Sequence, residues 1–190
     1  MQIPKEPKKS LALSNPLTPD ILQALEERKY TIEGRATYEC KNTKRGDLVV
    51  DSLQLPKKLD LGGCSCITDL SSLSSSNVKD LDLRYCTGVV DVSALAKMKK
   101  LKSLCLQDCI SILDISPLGE STSIYELNFN YCPAITDVSS LGKMPKLDSI
   151  SLVHCTGITD ISPLKHLDDL DLFGCTGITD FSSVPHANIE

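Results

Sequence analysis

Cysteine and aspartate are the residues of this chain whose type and spacing could support chemistry, because both recur in a fixed register. Six cysteines follow one another at intervals of 22, 23, 23, 23 and 20 residues, namely Cys64, Cys86, Cys109, Cys132, Cys155 and Cys175. An aspartate stands five residues after each of them, namely Asp69, Asp91, Asp114, Asp137, Asp160 and Asp180. Thiols in such a ladder could form disulfide bonds, and aligned carboxylates could hold calcium ions.

Reduced thiols explain the cysteine pattern better than disulfide bonds do. The chain has nine cysteines, an odd number, and Met1 to Ser10 carries charge without the apolar stretch of a secretion signal. A thiol is also compact and weakly polar, which suits a buried position where the chain turns inward and can bond to backbone amides. We therefore expect a regular column of buried thiols without disulfide bonds.

The aspartates occur in the pattern D-x-S-x-L, which is typical of the start of a short helical turn. Two copies, Asp114 to Leu118 and Asp160 to Leu164, also place a proline where the first turn of a helix accepts it. Calcium-binding β-rolls have glycine-rich, doubly acidic repeats, which this chain lacks. We interpret the aspartates as caps rather than as metal ligands.

No other constellation favours catalysis. The histidines His154, His166 and His186 fall at different points of the repeat, too dispersed for a triad or a zinc site. Cys64 and Cys66 lack a second cysteine pair with zinc-finger spacing, and no glycine run has the form of a phosphate-binding loop. We predict no catalytic residue, cofactor or metal ion, and a protein that is not an enzyme.

The elements that position these residues follow from apolar side chains in the same register. Leucine or a similar residue stands five and three residues before each repeat cysteine, and further apolar residues stand three, six and nine residues after it. An L-x-L segment forms a short strand with one buried face, and units that cannot bury a core alone do so by stacking. The pattern predicts an α/β solenoid with a parallel β-sheet on its concave face and short helical or irregular convex segments.

The motif L-x-L-x-x-C resembles the leucine-rich repeat in a variant that uses cysteine throughout. The I-T-D-x-S-x-L stretch is similar to repeats of bacterial internalins and of a phosphatase-1 regulatory subunit. The C-T-G-I-T-D version, at Cys155–Asp160 and Cys175–Asp180, resembles repeats of trypanosomatid leucine-rich-repeat proteins. The likeness covers about residues 55–185 and implies a binding scaffold within a multiprotein assembly, with the cytoskeleton or flagellum as a setting.

Three regions are predicted along the chain. Residues 1–17 form a flexible basic arm, residues 18–56 form a helix and short strands that cap the solenoid, and residues 57–190 form an array of six repeats. The last interval of 20 residues predicts a convex segment shortened by about one helical turn and a local change of curvature. After Phe181, only Val184, Pro185 and the tail are left to cover the last layer.

A partner is expected on the concave face, where the side chains between and after the strand leucines point outward. The predicted partner-binding residues are Asp60, Asp80, Asp82, Arg84, Tyr85, Asp108, Glu126, Asn128, Tyr131, His154, Asp171 and Phe173. Their carboxylates would favour a basic segment of a protein partner, and exposed aromatic side chains are common interface anchors. The same charges could instead only keep this face solvated.

Charge and hydropathy restrict the other classes of partner. The net charge is −5 and the basic residues thin out where the repeats begin, so binding of nucleic acid is disfavoured. No apolar stretch is long enough to span a membrane. We therefore expect a cytoplasmic protein-protein interaction scaffold or adaptor associated with the cytoskeleton. The alternative is a regulatory subunit of an enzyme such as a protein phosphatase or ubiquitin ligase.

Overall fold

The computed structural model of the chain describes Leu55 and residues 57–189. The predicted basic arm, over residues 1–17, lies outside the described residues. So does the predicted cap over residues 18–56, apart from Leu55, which is buried. The described residues are therefore those of the repeats.

Each repeat contributes one three-residue strand to a six-stranded parallel sheet. The strands are β1 (Lys58–Asp60), β2 (Asp80–Asp82), β3 (Ser103–Cys105), β4 (Glu126–Asn128), β5 (Ser149–Ser151) and β6 (Asp169–Asp171). They follow chain order across the sheet, and the central leucine of β1 pairs with that of β2, which pairs with that of β3. The sheet register therefore equals the sequence repeat, which confirms the predicted parallel sheet.

Short helical segments connect each strand to the next. They comprise one α-helix, α1 (Ser93–Ala96), and four 3-10 helices, Ser71–Ser75, Ser116–Glu120, Leu141–Lys143 and Ser162–Leu164. Prolines stand within the first two positions of two of the 3-10 helices, as Pro117 and Pro163, where a missing backbone N–H costs nothing. The prediction of short convex helical turns is confirmed.

The recurrent aspartates bind the backbone at the entrance to these segments. In all six repeats, aspartate Oδ1 accepts a hydrogen bond of 2.7–2.9 Å from the N–H of the serine two residues later. The residue at the helix N-cap is usually the apolar one after the aspartate, such as Ile115 after Asp114. The predicted capping contact is confirmed, although the carboxylate acts from one residue before the N-cap.

The core is a stack of thin apolar layers. The predicted positions before and after each cysteine are buried in every repeat, with Phe181 in the last repeat as a partly buried exception. The largest buried side chain is Phe129, which replaces a strand leucine. Because each fully buried leucine or isoleucine contributes about 1.5–3 kcal/mol, repetition of small layers replaces the single aromatic-rich centre of a globular domain.

The repeat cysteines form a buried column of hydrogen-bond donors. The thiols of Cys86, Cys109 and Cys132 lie 3.1–3.2 Å from the carbonyl oxygens of Leu61, Leu83 and Leu106, each in the preceding repeat. The next two repeats continue the pattern at 3.0 Å. The sequence interpretation expected bonds to backbone amides. The structure corrects this: the thiol proton is donated to carbonyl oxygens that mark the end of the neighbouring strand.

The segment between β5 and β6 is shortened, while the pairing of these two strands keeps the common register. The helix Ser162–Leu164 has three residues and the chain then returns directly to β6, which pairs with β5 in the common register. Beyond Phe181, Asn188 forms a parallel bridge with Asp171 and exchanges backbone hydrogen bonds with both neighbours of that residue. The tail therefore covers part of the sheet edge.

Candidate functional site

The residue immediately before each repeat cysteine has a left-handed backbone. Its φ lies between 56° and 79° at all six positions, namely Gly63, Tyr85, Asp108, Tyr131, His154 and Gly174. Glycine adopts this conformation freely and aspartate tolerates it, whereas a bulky side chain there costs about 1–2 kcal/mol. Two tyrosines and a histidine therefore occupy positions that the backbone alone would give to glycine.

Backbone hydrogen bonds hold these strained turns in place. The N–H of Tyr85 donates to the carbonyl of Gln107 at 2.9 Å, and that of Tyr131 donates to the carbonyl of Val153 at 2.7 Å. Asp108 and His154 make the same bond to the following repeat. The ladder of the sheet thus continues past the carboxyl ends of the strands. It fixes the side chains before each cysteine at regular intervals along that edge.

Four rings line this edge and form what we call the aromatic row: Tyr85, Tyr131, His154 and Phe173. The ring centroids of Tyr131 and His154 are 5.0 Å apart, and those of His154 and Phe173 are 5.6 Å apart in an edge-to-face arrangement. Tyr85 is 53% exposed, Tyr131 44% and Phe173 43%. Mutual contacts therefore hold the rings of Tyr131, His154 and Phe173, while the row still presents substantial apolar surface to solvent.

Glycine at position 174 makes the contact between the last two rings possible. A Cβ atom there would collide with the imidazole of His154, whose ring lies over the Gly174 backbone. Gly174 also has a φ of 72°, so a side chain at this position would be both crowded and strained.

The predicted strand carboxylates have a structural role. Oδ1 of Asp60, Asp82 and Asp171 each accepts a hydrogen bond, of 2.9–3.2 Å, from the N–H two residues later, and Asn128 does the same. All four are half-buried. These side chains stabilise the turn that leads to the aromatic row.

The acidic residues of the concave face form two separate patches. Asp60 and Asp82 pair directly in the sheet register, whereas Asp171 is paired with the neutral Ser151. At about 4.8 Å per strand, Asp171 lies about 19 Å from Asp82. In the column of Asp60 and Asp82, the half-buried residues Cys105, Asn128 and Ser151 therefore separate the acidic residues expected on this face.

Of the other predicted residues, Asp80 and Arg84 belong to the first patch, whereas Asp108 and Glu126 lie between the two patches. Asp80 forms a 3.2 Å ion pair with Lys58, and Arg84 forms a 2.7 Å ion pair with Asp82. Glu126 is exposed on β4, and Asp108 accepts a 3.0 Å hydrogen bond from the side chain of Gln107. The ion pairs of Asp80 and Asp82 therefore lie at the Tyr85 end of the sheet. Asp108 and Glu126 lie towards its middle, and Asp171 lies at its far end.

The thiols are not prepared for nucleophilic chemistry. Burial raises the pKa of Cys132 to about 11 and that of Cys155 to about 12, and it raises the pKa of Cys109 further. Burial also raises the pKa of the half-buried Cys105 on β3. Because the thiolate is the reactive form, these groups stay protonated and unreactive at neutral pH.

The histidines remain apart, as their sequence positions indicate. His154 lies in the aromatic row, His166 Nδ1 is 3.2 Å from the carbonyl oxygen of Pro163, and His186 Nε2 contacts the carbonyl oxygen of Leu167 in the tail. Across residues 57–189, no group of three or more histidine, cysteine or acidic side chains is arranged to hold a metal ion. In the same part of the chain, no helix is long and apolar enough to cross a membrane.

Proteins of known structure share this architecture. An internalin C2 of Listeria monocytogenes matches with a TM-score of 0.56 and 24% identity, over 79% of this chain and 67% of its own. The leucine-rich-repeat domain of the type III effector XopL matches with a TM-score of 0.50 and 17% identity, over 64% of this chain and 56% of its own. The chain is a leucine-rich-repeat solenoid.

A second internalin of Listeria monocytogenes, internalin F, is 26% identical over 65% of this chain and 44% of its own, with a TM-score of 0.46. No protein-family model matches the chain, and no curated protein matches it in sequence. The likeness to internalins predicted from the repeats is found at the level of the fold, in internalin C2.

A second feature of the solenoid was not predicted from the sequence. Five lysines, with Ser123 and Tyr125, line a cleft of about 490 Å³, namely Lys79, Lys99, Lys100, Lys102 and Lys146. The signal was available, because Lys57, Lys79 and Lys102 all stand seven residues before a repeat cysteine. Basic residues become less frequent along the chain, so the sequence analysis did not predict that these lysines lie close together in space.

Proposed function

We propose that this chain is a non-enzymatic scaffold that binds a basic segment of a partner protein along the aromatic row. The exposed rings of Tyr85 and Tyr131, at strained backbone positions, carry this proposal, and Phe173 adds a third exposed ring. Backbone strain that packing does not require is concentrated in binding sites, and exposed tyrosine and phenylalanine are frequent interface anchors. The row thus offers a rigid apolar strip at the edge of the sheet.

Carboxylates beside the row supply the charge that a basic segment would meet. Asp108 lies within the row between Tyr85 and Tyr131 in chain order, and Asp171 precedes Phe173 by two residues. Glu126 adds an exposed carboxylate on β4. Rim charges of this kind favour the rate of association and the choice of partner more than affinity itself.

A cytoplasmic location and a place in a cytoskeletal or flagellar assembly form the finer part of the proposal. They rest on the likeness of the C-T-G-I-T-D repeats at Cys155–Asp160 and Cys175–Asp180 to those of trypanosomatid leucine-rich-repeat proteins. Fold alone does not specify a biological setting, so location in the source cell is the relevant measurement.

Selection from a random peptide library displayed on phage tests the binding role directly. The intact chain is the bait, and a variant with Tyr85→Asn, Tyr131→Asn and Phe173→Asn is the comparison. We expect lysine- and arginine-rich peptides that lose at least tenfold in affinity for the variant, because about 1–3 kcal/mol is lost when an interface anchor is removed.

The matched control removes three exposed apolar side chains outside the row. Val90→Asn, Ile110→Asn and Leu113→Asn change residues that are 55%, 55% and 66% exposed. Selected peptides should bind this variant as they bind the original chain. Equal loss of binding to both variants, or selection of peptides without basic residues, would contradict the proposal.

A further inference from the structure

The lysine cleft lies at the edge of the sheet opposite to the aromatic row. Lys79, Lys102 and Tyr125 each stand one residue before a strand, β2, β3 and β4 respectively, whereas the row follows the carboxyl ends of the strands. Lys99, Lys100 and Lys146 come from the loops that return from the convex side. The cleft is therefore built by three neighbouring repeats and shares no residue with the row.

The positive charge of this lysine cleft is not neutralised within the described part of the chain. None of its five lysines forms an ion pair there, and Lys100 alone makes a polar side-chain contact, a 2.6 Å hydrogen bond from Nζ to Asn77 Oδ1. Five like charges around one concavity repel one another and focus a positive potential. An anionic group in the cleft would relieve that repulsion.

We propose that the lysine cleft binds an acidic, carboxylate-rich segment of a partner protein. The proposal goes beyond the scaffold role of the aromatic row, since it concerns the other edge of the sheet and the opposite charge. The ammonium group of lysine ends a flexible side chain, so it can pair with carboxylates in varying positions. The hydroxyl group of Tyr125 adds a polar partner at the same surface, whereas that of Ser123 donates a 3.0 Å hydrogen bond to the carbonyl oxygen of Met98.

The dimensions of the cleft favour a short peptide over nucleic acid. Along the column seven residues before each cysteine, Lys57, Lys79, Lys102 and Tyr125 are followed by the exposed acids Asp148 and Asp168. From Lys57, which lies next to the cleft in this column but does not line it, to Tyr125, the favourable path therefore extends over about three strand spacings, or about 14 Å, which matches about four residues of extended peptide. A nucleic-acid strand running farther would meet the two acids.

The composition of the cleft leads to the same choice. It contains lysine and one tyrosine but no arginine, and single-stranded nucleic acid is usually held by several stacking rings together with arginine. A run of carboxylates needs only compact cations at short intervals, which the five lysines provide.

Fluorescence anisotropy with a fluorescein-labelled hexaglutamate peptide tests the proposal on the intact chain. The variant K79Q/K102Q/K146Q removes three of the five charges without touching a buried residue. We expect the affinity for hexaglutamate to fall at least tenfold in this variant and to fall with added salt in the original chain.

The control variant K97Q/K143Q/K165Q changes the net charge by the same amount at exposed lysines outside the cleft. It should bind hexaglutamate within twofold of the original chain. Equal weakening in both variants would show a general charge effect and overturn the proposal.

Two further measurements test the other possible ligands of the cleft, which are nucleic acid and a second copy of the chain. Tighter binding of a labelled twelve-nucleotide oligouridylate than of hexaglutamate would overturn the proposal in favour of nucleic acid. Salt-sensitive self-association that competes with the peptide would overturn it in favour of a second copy of the chain. The aromatic-row variant should keep its hexaglutamate affinity, so failure of one proposal is distinguishable from failure of the other.

Discussion

At the scale of single residues, the position before each repeat cysteine connects backbone conformation to surface chemistry. Gly63 and Gly174 occupy it without strain, whereas Tyr85 and Tyr131 occupy the same conformation at a cost in free energy. A residue chosen only for stability would be glycine or asparagine. The tyrosines therefore support the proposal that this edge of the sheet binds a partner.

Replacing Tyr85 by asparagine is expected to stabilise the protein. Among the described residues, the Tyr85 ring stacks on no other ring and its hydroxyl has one polar contact, a 3.4 Å hydrogen bond from Gln107, so little packing is lost. Because asparagine tolerates the left-handed conformation, the free energy of unfolding should rise by about 0.5–1 kcal/mol. Urea denaturation at neutral pH measures the change.

Tyr125→Asn is the control for this prediction. Tyr125 is 43% exposed and does not have a positive φ. Its replacement should leave the free energy of unfolding unchanged or lower it. A fall in stability for Tyr85→Asn, or the same rise in both variants, would refute the explanation by backbone strain.

At the scale of elements, the aspartates set where each helical turn begins. Hydrogen bonds from Ser116, Ser139 and Ser162 hold the pKa values of Asp114, Asp137 and Asp160 below their ordinary range. A lowered pKa in the folded state means that the unfolded chain takes up the proton first as pH falls. These caps therefore contribute stability above the ordinary aspartate pKa of about 3.9, and that contribution is lost as pH falls through the folded-state values.

The variant D114N/D137N/D160N should separate the hydrogen bond from its charge. Asparagine accepts the same hydrogen bond from the serine N–H but does not titrate. We expect near-original stability at neutral pH and a smaller loss of stability between about pH 4 and pH 2 than in the original chain. Thermal unfolding across this range by circular dichroism makes the comparison, and parallel pH profiles would contradict it.

At the scale of the whole molecule, each repeat of the solenoid is stabilised by its immediate neighbours. Among the described strands, β6 has one neighbouring strand, β5, and otherwise only the single bridge to Asn188. An interior strand such as β4 is paired on both sides. Nearest-neighbour stabilisation predicts that the last described repeat opens more easily than the middle of the array.

Leu172→Ala and Leu127→Ala give matched tests, since both leucines are 1% exposed. Each should cost about 2–5 kcal/mol locally. Hydrogen exchange followed by mass spectrometry should show faster exchange confined to the last repeat for Leu172→Ala and spread over several repeats for Leu127→Ala. Equal acceleration over the whole array in both variants would indicate all-or-none unfolding instead.

The sequence by itself determined the scaffold of this protein. The register of Leu59, Leu81 and Leu104 specified the strands, their parallel pairing and the buried layers, because neighbours in a solenoid are also neighbours in the repeat. The aspartate caps were predictable for the same reason, since each acts on a backbone amide two residues away. Local and repeated interactions leave a periodic signal in the chain.

Only the tertiary structure decided the shape of the surfaces. The glycines at 63 and 174 were the available sign of a left-handed position. The sequence did not indicate that the ring of His154 contacts those of Tyr131 and Phe173, because these contacts depend on how the turns of successive repeats stack. The lysines of strand and loop converged in one cleft. Lys79 and Lys102 follow the repeat register, but Lys99, Lys100 and Lys146 come from the returning loops and follow no period, because solvent-facing positions carry no packing constraint from the core.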